Sequence, residues 1–527
     1  MKSANRYSFV VAIIVALGGF LMGFDASVIS GVVGFIETEF ALTRIQLGWS
    51  VASLTLTATL AMMVAGPISD RLGRRPVLMG AAVLFAVSAV YSAAAPDFMS
   101  LVIARMIGGL GVGAALIIAP MYIAEIAPPE KRGRMVSFNQ FNIVLGISVA
   151  FFSNYLILRF GQSGSDWAQS LGLAEWAWRW MLGVEALPAI IYFAALFLVP
   201  ESPRWLAMHD RREEALVVFS RFGDDATAAA NLAAVEQSIG EDTVAAKASL
   251  RELFAPAMRL VLTIGVSVAI LQQITGINSV FFYAPMIFEQ SGVGTDASFM
   301  QAVLVGLVNV VFTVAAMALI DRIGRRPLLG IGLSGIALCM FLLAYGFGSA
   351  SYSLRTSDMG SLPPELDRAA LAQVMDVDYQ SDVEFREAVS AAIGESVYLE
   401  YESQLVSAAV DLNATLILFA ILGFVASFAI SLGPVMWVLF SELFPNTLRG
   451  LAISFAGLIN SGVSFGVQLV FPWELQNLGS SMTFLIYGAF ALVGLVLMLR
   501  ILPETRGRSL EELEEMLVSR TDDAAQA

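Results

Sequence analysis

Asp25 stands where a carboxylate is costly. It lies in GGFLMGFDASVISG, well inside the first long apolar run of the chain. An ionised side chain at mid-bilayer costs on the order of 2.5–3.5 kcal/mol even on lenient insertion scales, so a residue kept there is a candidate for function. Arg105, which opens RMIGGLGVG, is its best partner, because the small residues that follow let helices approach closely. An acid that alternates between bonding an arginine and bonding a proton can tie proton movement to a change of shape. A static buried ion pair is the alternative.

A second set of charges sits in a phrase written twice, DRLGRRP at Asp70 to Pro76 and DRIGRRP at Asp321 to Pro327. An Arg at a helix end can reach a carboxylate and backbone carbonyls on a neighbouring helix, which makes these arginines candidate latches for one conformation. Simple topology marking by positive charge is the other reading. Adjacent amides form a third set in QQITGIN. Gln272 and Gln273 are about 100° apart on a helix, whereas Gln273 and Asn278 share a broad face only where the helix bends or breaks. Gly276 makes such a break plausible.

Other chemistry is missing. Cys339 is the only cysteine and His209 the only histidine, so an intramolecular disulfide or a thiolate metal cluster is excluded. His209 lies in a polar segment and reads as a solvated surface residue. There is no nucleophile and base constellation, no phosphate-binding Gly-rich loop and no metal-ligand spacing, so the chain is not expected to be an enzyme, to carry a cofactor or metal, or to bind nucleic acid. Gly108, Gly109, Gly111 and Gly113 fall within an apolar run, where close helix packing explains them better than phosphate binding.

The elements that must hold these residues are membrane helices. Apolar residues make up 57% of the 527 and charged residues only 14%, with a mean hydropathy of +0.75, more oily surface than a soluble core of this length hides. Apolar runs near 8–33, 47–69, 76–96, 99–124, 135–159, 178–199, 258–290, 298–320, 327–349, 412–441, 450–473 and 480–502 predict twelve spanning helices, the first retained rather than cleaved as a signal. The loops after even-numbered spans carry the Arg and Lys residues, which puts them and both termini in the cytoplasm.

Spacing exposes an insertion. Glu125 and Arg132 follow Asp70 by 55 and 62 residues, and Glu442 and Arg449 follow Asp321 by 121 and 128. Removing the polar stretch 350–411, with twelve acidic residues against three arginines, restores the register. The expected organisation is an all-α integral membrane protein of two six-helix bundles, 1–199 and 257–513, joined by a cytoplasmic helical linker at 200–256. An acidic extracytoplasmic insert sits at about 350–411 and a polar tail at 514–527.

With the two GRR loops, RMIGGLGVG, PESPRWL, QQITGINSVFFYAP, GPVMWVLFSELFPNTLRG and PETRGRSLEEL in this order, the chain resembles the sugar porter family of the major facilitator superfamily, from Gly18 to about Leu513. The resemblance implies the major facilitator fold, alternating access and a monosaccharide bound near the midplane. It implies sugar contacts from Gln140 and Ile147 on the fifth helix, Gln272, Gln273 and Asn278 on the seventh, Asn309 on the eighth, Trp437 on the tenth and Asn460 on the eleventh. It implies cytoplasmic latch sets of Arg74, Arg75, Glu125 and Arg132 in one half and Arg325, Arg326, Glu442 and Arg449 in the other. Proton-driven relatives carry an Asp and an Arg at the positions of Asp25 and Arg105, which favours symport.

Three positions depart from common family patterns. Ile147 stands where many relatives have a second amide, Phe282 where Tyr-Tyr is common, and Ser461 where a Trp is frequent. A hexose, a pentose or a polyol such as inositol fits equally. The expected activity is proton symport of a monosaccharide or polyol by a monomer in a plasma membrane, most simply a bacterial inner membrane. A facilitative uniporter is the alternative, followed by a non-transporting sugar receptor. Buried amides that merely glue helices together are the bland alternative for the pocket residues.

Overall fold

The computed structural model describes residues 2–127, 132–222, 225–244, 250–360, 362–445 and 448–506. The expected tail at 514–527 lies outside the described residues. Among the described residues twelve helices are long and apolar enough to cross a bilayer: Tyr7–Gly31, Arg44–Leu72, Arg74–Ala93, Phe98–Ile126, Phe138–Gln162, Ala177–Leu196, Arg259–Phe282, Thr295–Ile320, Arg325–Gly348, Ala414–Phe440, Arg449–Asn477 and Gly479–Ile501. They are called the first to twelfth spans below. Their ends are set by local chemistry. Asp97 accepts from the Ser100 amide at 2.8 Å to start the fourth span, and Asn413 accepts from the Leu416 amide at 3.0 Å to start the tenth, each satisfying a donor that the first helical turn leaves free.

The chain forms two compact units. One comprises Met1–Ser27, Ser53–Ala150 and Arg179–Ala248, and the other Val28–Ala52, Phe151–Trp178 and Ser249–Ala527. The division does not follow the two sequence halves, because one end of several first-half helices packs on second-half helices. Within the second unit Trp49 meets Phe465 edge-on with ring centroids 5.5 Å apart, and a Cβ at Gly48 would fall 2.0 Å from the Leu469 carbonyl oxygen. In the first unit the glycines of RMIGGLGVG let the fourth span touch the second. A Cβ at Gly109 would lie 2.1 Å from Thr57 Oγ1, and one at Gly113 2.2 Å from the Ala58 oxygen.

Between the halves, the helices Pro203–Met208, Arg212–Phe222 and Asp225–Val244 bury Trp205, Leu206, Ala215, Phe219 and Leu232 among themselves. His209 is exposed and stacks on Trp205 at 4.2 Å, so the solvated residue also has a packing partner. The segment 350–411 is a small folded body. Its ends pair as antiparallel strands, Ser351 with Asp411 and Tyr352 with Val410. Helices Asp382–Ile393 and Glu395–Ala409 close over a core that includes Leu354, Leu371, Phe385, Val389, Tyr398 and Leu405.

Candidate functional site

Asp25 and Arg105 meet in the first unit. Both are 1% exposed. Arg105 Nη1 donates to Asp25 Oδ1 through a charge-assisted bond and to the Asp25 main-chain oxygen at 2.9 Å. Asp25 Oδ2 and Arg105 Nε have no hydrogen-bond partner among the described residues. A carboxylate with one bonded and one open oxygen can take a proton without dismantling the whole pair.

A third ionisable group joins them. Glu185, 2% exposed, stands between helices Ala177–Gly183 and Ala186–Leu196 of the sixth span, within electrostatic reach of both Asp25 and Arg105. Its Oε1 has no hydrogen-bond partner among the described residues. Sequence reasoning passed over it, although the argument from cost that singles out Asp25 applies equally to an acid inside the run 178–199.

The second unit gathers the amides. Helix Arg259–Ile274 stops and Ile277–Phe282 resumes, with Gly276 between them at φ +87°, a left-handed conformation that glycine adopts freely. The break turns Asn278 back toward the preceding residues. Its Nδ2 donates to Gln273 Oε1 at 2.8 Å and to Ser464 Oγ at 2.7 Å. Asn460 Nδ2 donates to Gln272 Oε1 at 2.7 Å and to the Ala269 oxygen at 2.9 Å. Gln273 Nε2 donates to Asn460 Oδ1 at 3.3 Å and to Gln272 Oε1 at 3.1 Å.

Ser464 and Gln468 extend this network and were not anticipated. Gln468 Nε2 donates to Ser464 Oγ at 2.7 Å, and Tyr283, which remains where Phe282 lacks a hydroxyl, donates to the Gln468 main-chain oxygen at 3.1 Å. The signal was present in the sequence, because 460, 464 and 468 are spaced by four and lie on one helical stripe. Such a lattice of donors and acceptors can exchange its internal bonds for those of a polyhydroxylated ring without desolvating a charge.

Four expected contacts stand apart from this lattice. Asn309 is buried on the eighth span and makes no hydrogen bond to these amides among the described residues. Trp437, 43% exposed, packs edge-on against Phe440 at 5.9 Å. Gln140 and Ile147 are half-buried residues of the fifth span in the first unit.

The repeated loops are built alike. Gly73 and Gly324 have φ of +101° and +102°, and a Cβ there would fall 2.4 Å from Glu201 Oε2 and 2.8 Å from Glu504 Oε2. The glycines make room for carboxylates that cap the following helices. Glu201 of PESPR accepts from the Arg74 amide at 2.9 Å, and Glu504 of PETRG accepts from the amides of Arg325 at 3.0 Å and Arg326 at 3.1 Å. Burial raises the Glu201 carboxyl above its ordinary range against the pull of these donors.

The side chains of the first arginines then find the expected acids. Arg74 Nη2 lies 3.0 Å from Glu125 Oε1 and its Nη1 2.7 Å from Asp70 Oδ1. Arg325 Nη2 lies 2.7 Å from Glu442 Oε1, whose Oε2 accepts from Thr505. The second arginines turn elsewhere: Arg75 donates to the Leu196 oxygen at 3.0 Å and Arg326 to the Leu499 oxygen at 2.6 Å. Arg449 donates to the Phe444 oxygen at 3.2 Å, and the side chain of Arg132 lies outside the described residues. Each set joins spans of one half within one unit.

A family model described as "Sugar (and other) transporter" matches residues 11–360 and 391–517, leaving out 361–390 inside the insert. The arabinose-proton symporter of Bacillus subtilis is 34% identical over 517 residues, covering 98% of this chain and 96% of that protein. The D-xylose-proton symporter of Escherichia coli is 32% identical, covering 97% and 96%. The inward open structure of the E. coli xylose transporter XylE matches with a TM-score of 0.73 at 31% identity, over 97% of this chain and 100% of that one.

Proposed function

The chain belongs to the sugar (and other) transporter family, and on that footing we propose that it takes up a monosaccharide or polyol together with protons, by alternating access. It is a multi-pass membrane protein and a transporter rather than an enzyme. The observation that carries the proton is the buried Asp25–Arg105 pair, whose open Oδ2 is placed to receive one. The amides of the seventh and eleventh spans supply the sugar's hydrogen-bond partners, joined in this reading by Gln140, Ile147, Asn309 and Trp437. Arabinose and xylose lead the candidates, because relatives covering nearly the whole chain are named for those sugars.

The same reading places the chain in a bacterial inner membrane as a monomer, with no part for nucleic acid. Both termini and the linker at 200–256 face the cytoplasm and the 350–411 insert faces outward, as the distribution of Arg and Lys supports. The bundles 1–199 and 257–513 alternate around the sugar, and the arginine and glutamate sets brace the inner face of each half as the cycle turns. A proton entering across about 100 mV releases about 2.3 kcal/mol, enough for roughly 50-fold accumulation before any pH gradient is added.

The deciding experiment uses purified protein in proteoliposomes with labelled arabinose, xylose, glucose and inositol. Counterflow exchange of at least one of them, and accumulation only under an inward proton gradient, is the expected result. Exchange that ignores the gradient assigns a uniporter, and no exchange of any of the four rejects sugar uptake for this panel.

A further inference from the structure

The insert has no part in the chemistry above, yet it reaches across the second unit. At one end it is held firmly to second-half helices. Asp382 Oδ2 accepts from the Ser480 amide at 2.9 Å and from its hydroxyl at 2.8 Å, at the start of the twelfth span. Arg386 Nη2 donates to the Gln476 oxygen at the end of the eleventh. At its other end Glu402, on helix Glu395–Ala409, faces a first-half residue. Its Oε2 lies 3.6 Å from Nη2 of Arg44, which opens the second span, and Arg44 Nη1 lies 2.6 Å from Glu37 Oε1. The side chains of Arg44 and Glu37 are 6% and 7% exposed and that of Glu402 is 23% exposed.

We propose that the insert is a strap across the extracytoplasmic mouth, and that Glu402 holding Arg44 is the contact that must release for the mouth to open. The inference rests on the transport reading, since only a protein that alternates access has a mouth to open. Three observations carry it. The insert has its own core and its ends are paired, so it moves as one body. Its fastening to the second half is by hydrogen bonds to main-chain and hydroxyl groups, whereas the ion pair that fastens it to the first half is longer, at 3.6 Å, so separation breaks there first.

A cavity of about 20 Å³ lies beside the contact, lined by Tyr352, Asp382, Arg386, Tyr398 and Glu402 among others. That is room for a single water among polar groups, and a water there can solvate Glu402 as Arg44 leaves. Glu37, 2.6 Å from Arg44, is the acid left beside it as Glu402 withdraws. Arg44 is therefore never left as a lone buried charge, which would make the movement prohibitively costly. Arg386 and Tyr398 of the insert also lie within electrostatic reach of Glu37 and Arg44 respectively, and a second ion pair between segment 151–178 and the second half is exposed. Gln162 and Arg159 meet Asp296 at 2.7 Å and 3.7 Å, but that ion pair is half in water and worth little.

The test measures the distance between segment 28–52 and the insert in the full chain. Spin labels go on Thr38→Cys and Glu400→Cys, both exposed, in a Cys339→Ser background in proteoliposomes. Glu402→Gln is expected to raise the ratio of separated to joined populations about fivefold or more, the lower end of what one coupling contact delivers. Arg44→Gln should do the same, and the double variant should do little more than either single one, because both remove one interaction. Unchanged distances in Glu402→Gln, or effects that simply add in the double variant, overturn the proposal. Uptake by the unmutated protein is scored in the same vesicles. Its absence sinks the transport reading, while the distances still report on whether Glu402 and Arg44 fasten the strap.

Discussion

Asp25→Asn removes the proton-binding group of the buried pair and changes little else in shape. In the wild-type protein Arg105 Nη1 donates both to the carboxylate and, at 2.9 Å, to the main-chain oxygen of the same residue. The amide variant keeps the second bond and loses the opposing charge. With both residues 1% exposed, breaking a buried pair from one side costs about 3–5 kcal/mol, an upper bound here because Glu185 remains within reach of Arg105. A lower Tm in detergent measures that loss. The transport consequence is larger in kind. A membrane potential of about 100 mV contributes about 2.3 kcal/mol per proton, so the roughly 50-fold accumulation it supports should fall to equality. Counterflow, which requires no net proton movement, should persist. Accumulation above equality in Asp25→Asn refutes the coupling role. So does loss of counterflow in a variant that stays monodisperse with unchanged sugar affinity, since Asp25 would then serve translocation itself.

Asn278→Ala deletes bonds to Gln273 and Ser464, and one lost hydrogen bond of about 1.4 kcal/mol weakens sugar binding about tenfold; unchanged affinity by tryptophan quenching or isothermal titration removes it from the site. Gly276→Ala forces a side chain into a left-handed conformation, costing roughly 1–2 kcal/mol, and sets a Cβ 2.5 Å from the Tyr487 ring, so its Tm should fall below that of wild type, and an equal Tm contradicts the account of the break. Burial pushes the Glu37 carboxyl up to about 7 from 4.5, with Arg44 and Arg386 opposing and Glu402 adding to the rise, and Tyr283 also close enough to feel its charge. The buried, joined arrangement therefore takes up a proton as pH falls through about 7, and its advantage is lost as pH rises through that value. Between pH 5.5 and 8.5 the separated population of the Thr38 and Glu400 label pair should rise, and a Glu37→Gln variant should lose that dependence; an equal slope in both excludes Glu37.

The spanning helices were legible because length and hydropathy alone specify them. The run expected at 480–502 is Gly479–Ile501, and that at 99–124 is Phe98–Ile126. The seventh run, expected over 258–290, is three helices, broken at Gly276 and again before Ala284; a break leaves no mark in hydropathy, and only Gly276 and the placement of Asn278 hint at the first. Partner choice was harder. PESPR and PETRG mark the family, but nothing in their spacing says that Glu201 and Glu504 cap helices more than a hundred residues away in sequence. Arg44 with Glu402 was beyond reach for the same reason, since both sit at the edges of polar segments that carry no periodic signal.

The two halves share a scaffold and divide the chemistry. Gly73 with Gly324, Glu201 with Glu504, and Arg74–Glu125 with Arg325–Glu442 repeat the same construction at the same point of each half. The buried ionisable trio, however, belongs to the first half and the amide lattice to the second. Physical cost gives a reason for the separation. A charge inside the lattice would bind water and hydroxyls too strongly for a sugar to leave, and amides around Asp25 would hold its charged form and blunt its response to a proton. On the proposed reading, keeping the proton site and the amide lattice on different repeats leaves conformational change as the link between them. That predicts a specific asymmetry. Asn460→Ala should lower sugar affinity without altering the pH dependence of accumulation, and Glu185→Gln should alter that pH dependence with sugar affinity in counterflow unchanged. If either variant moves both quantities, the effects on sugar and proton are not separable by half and the division does not hold.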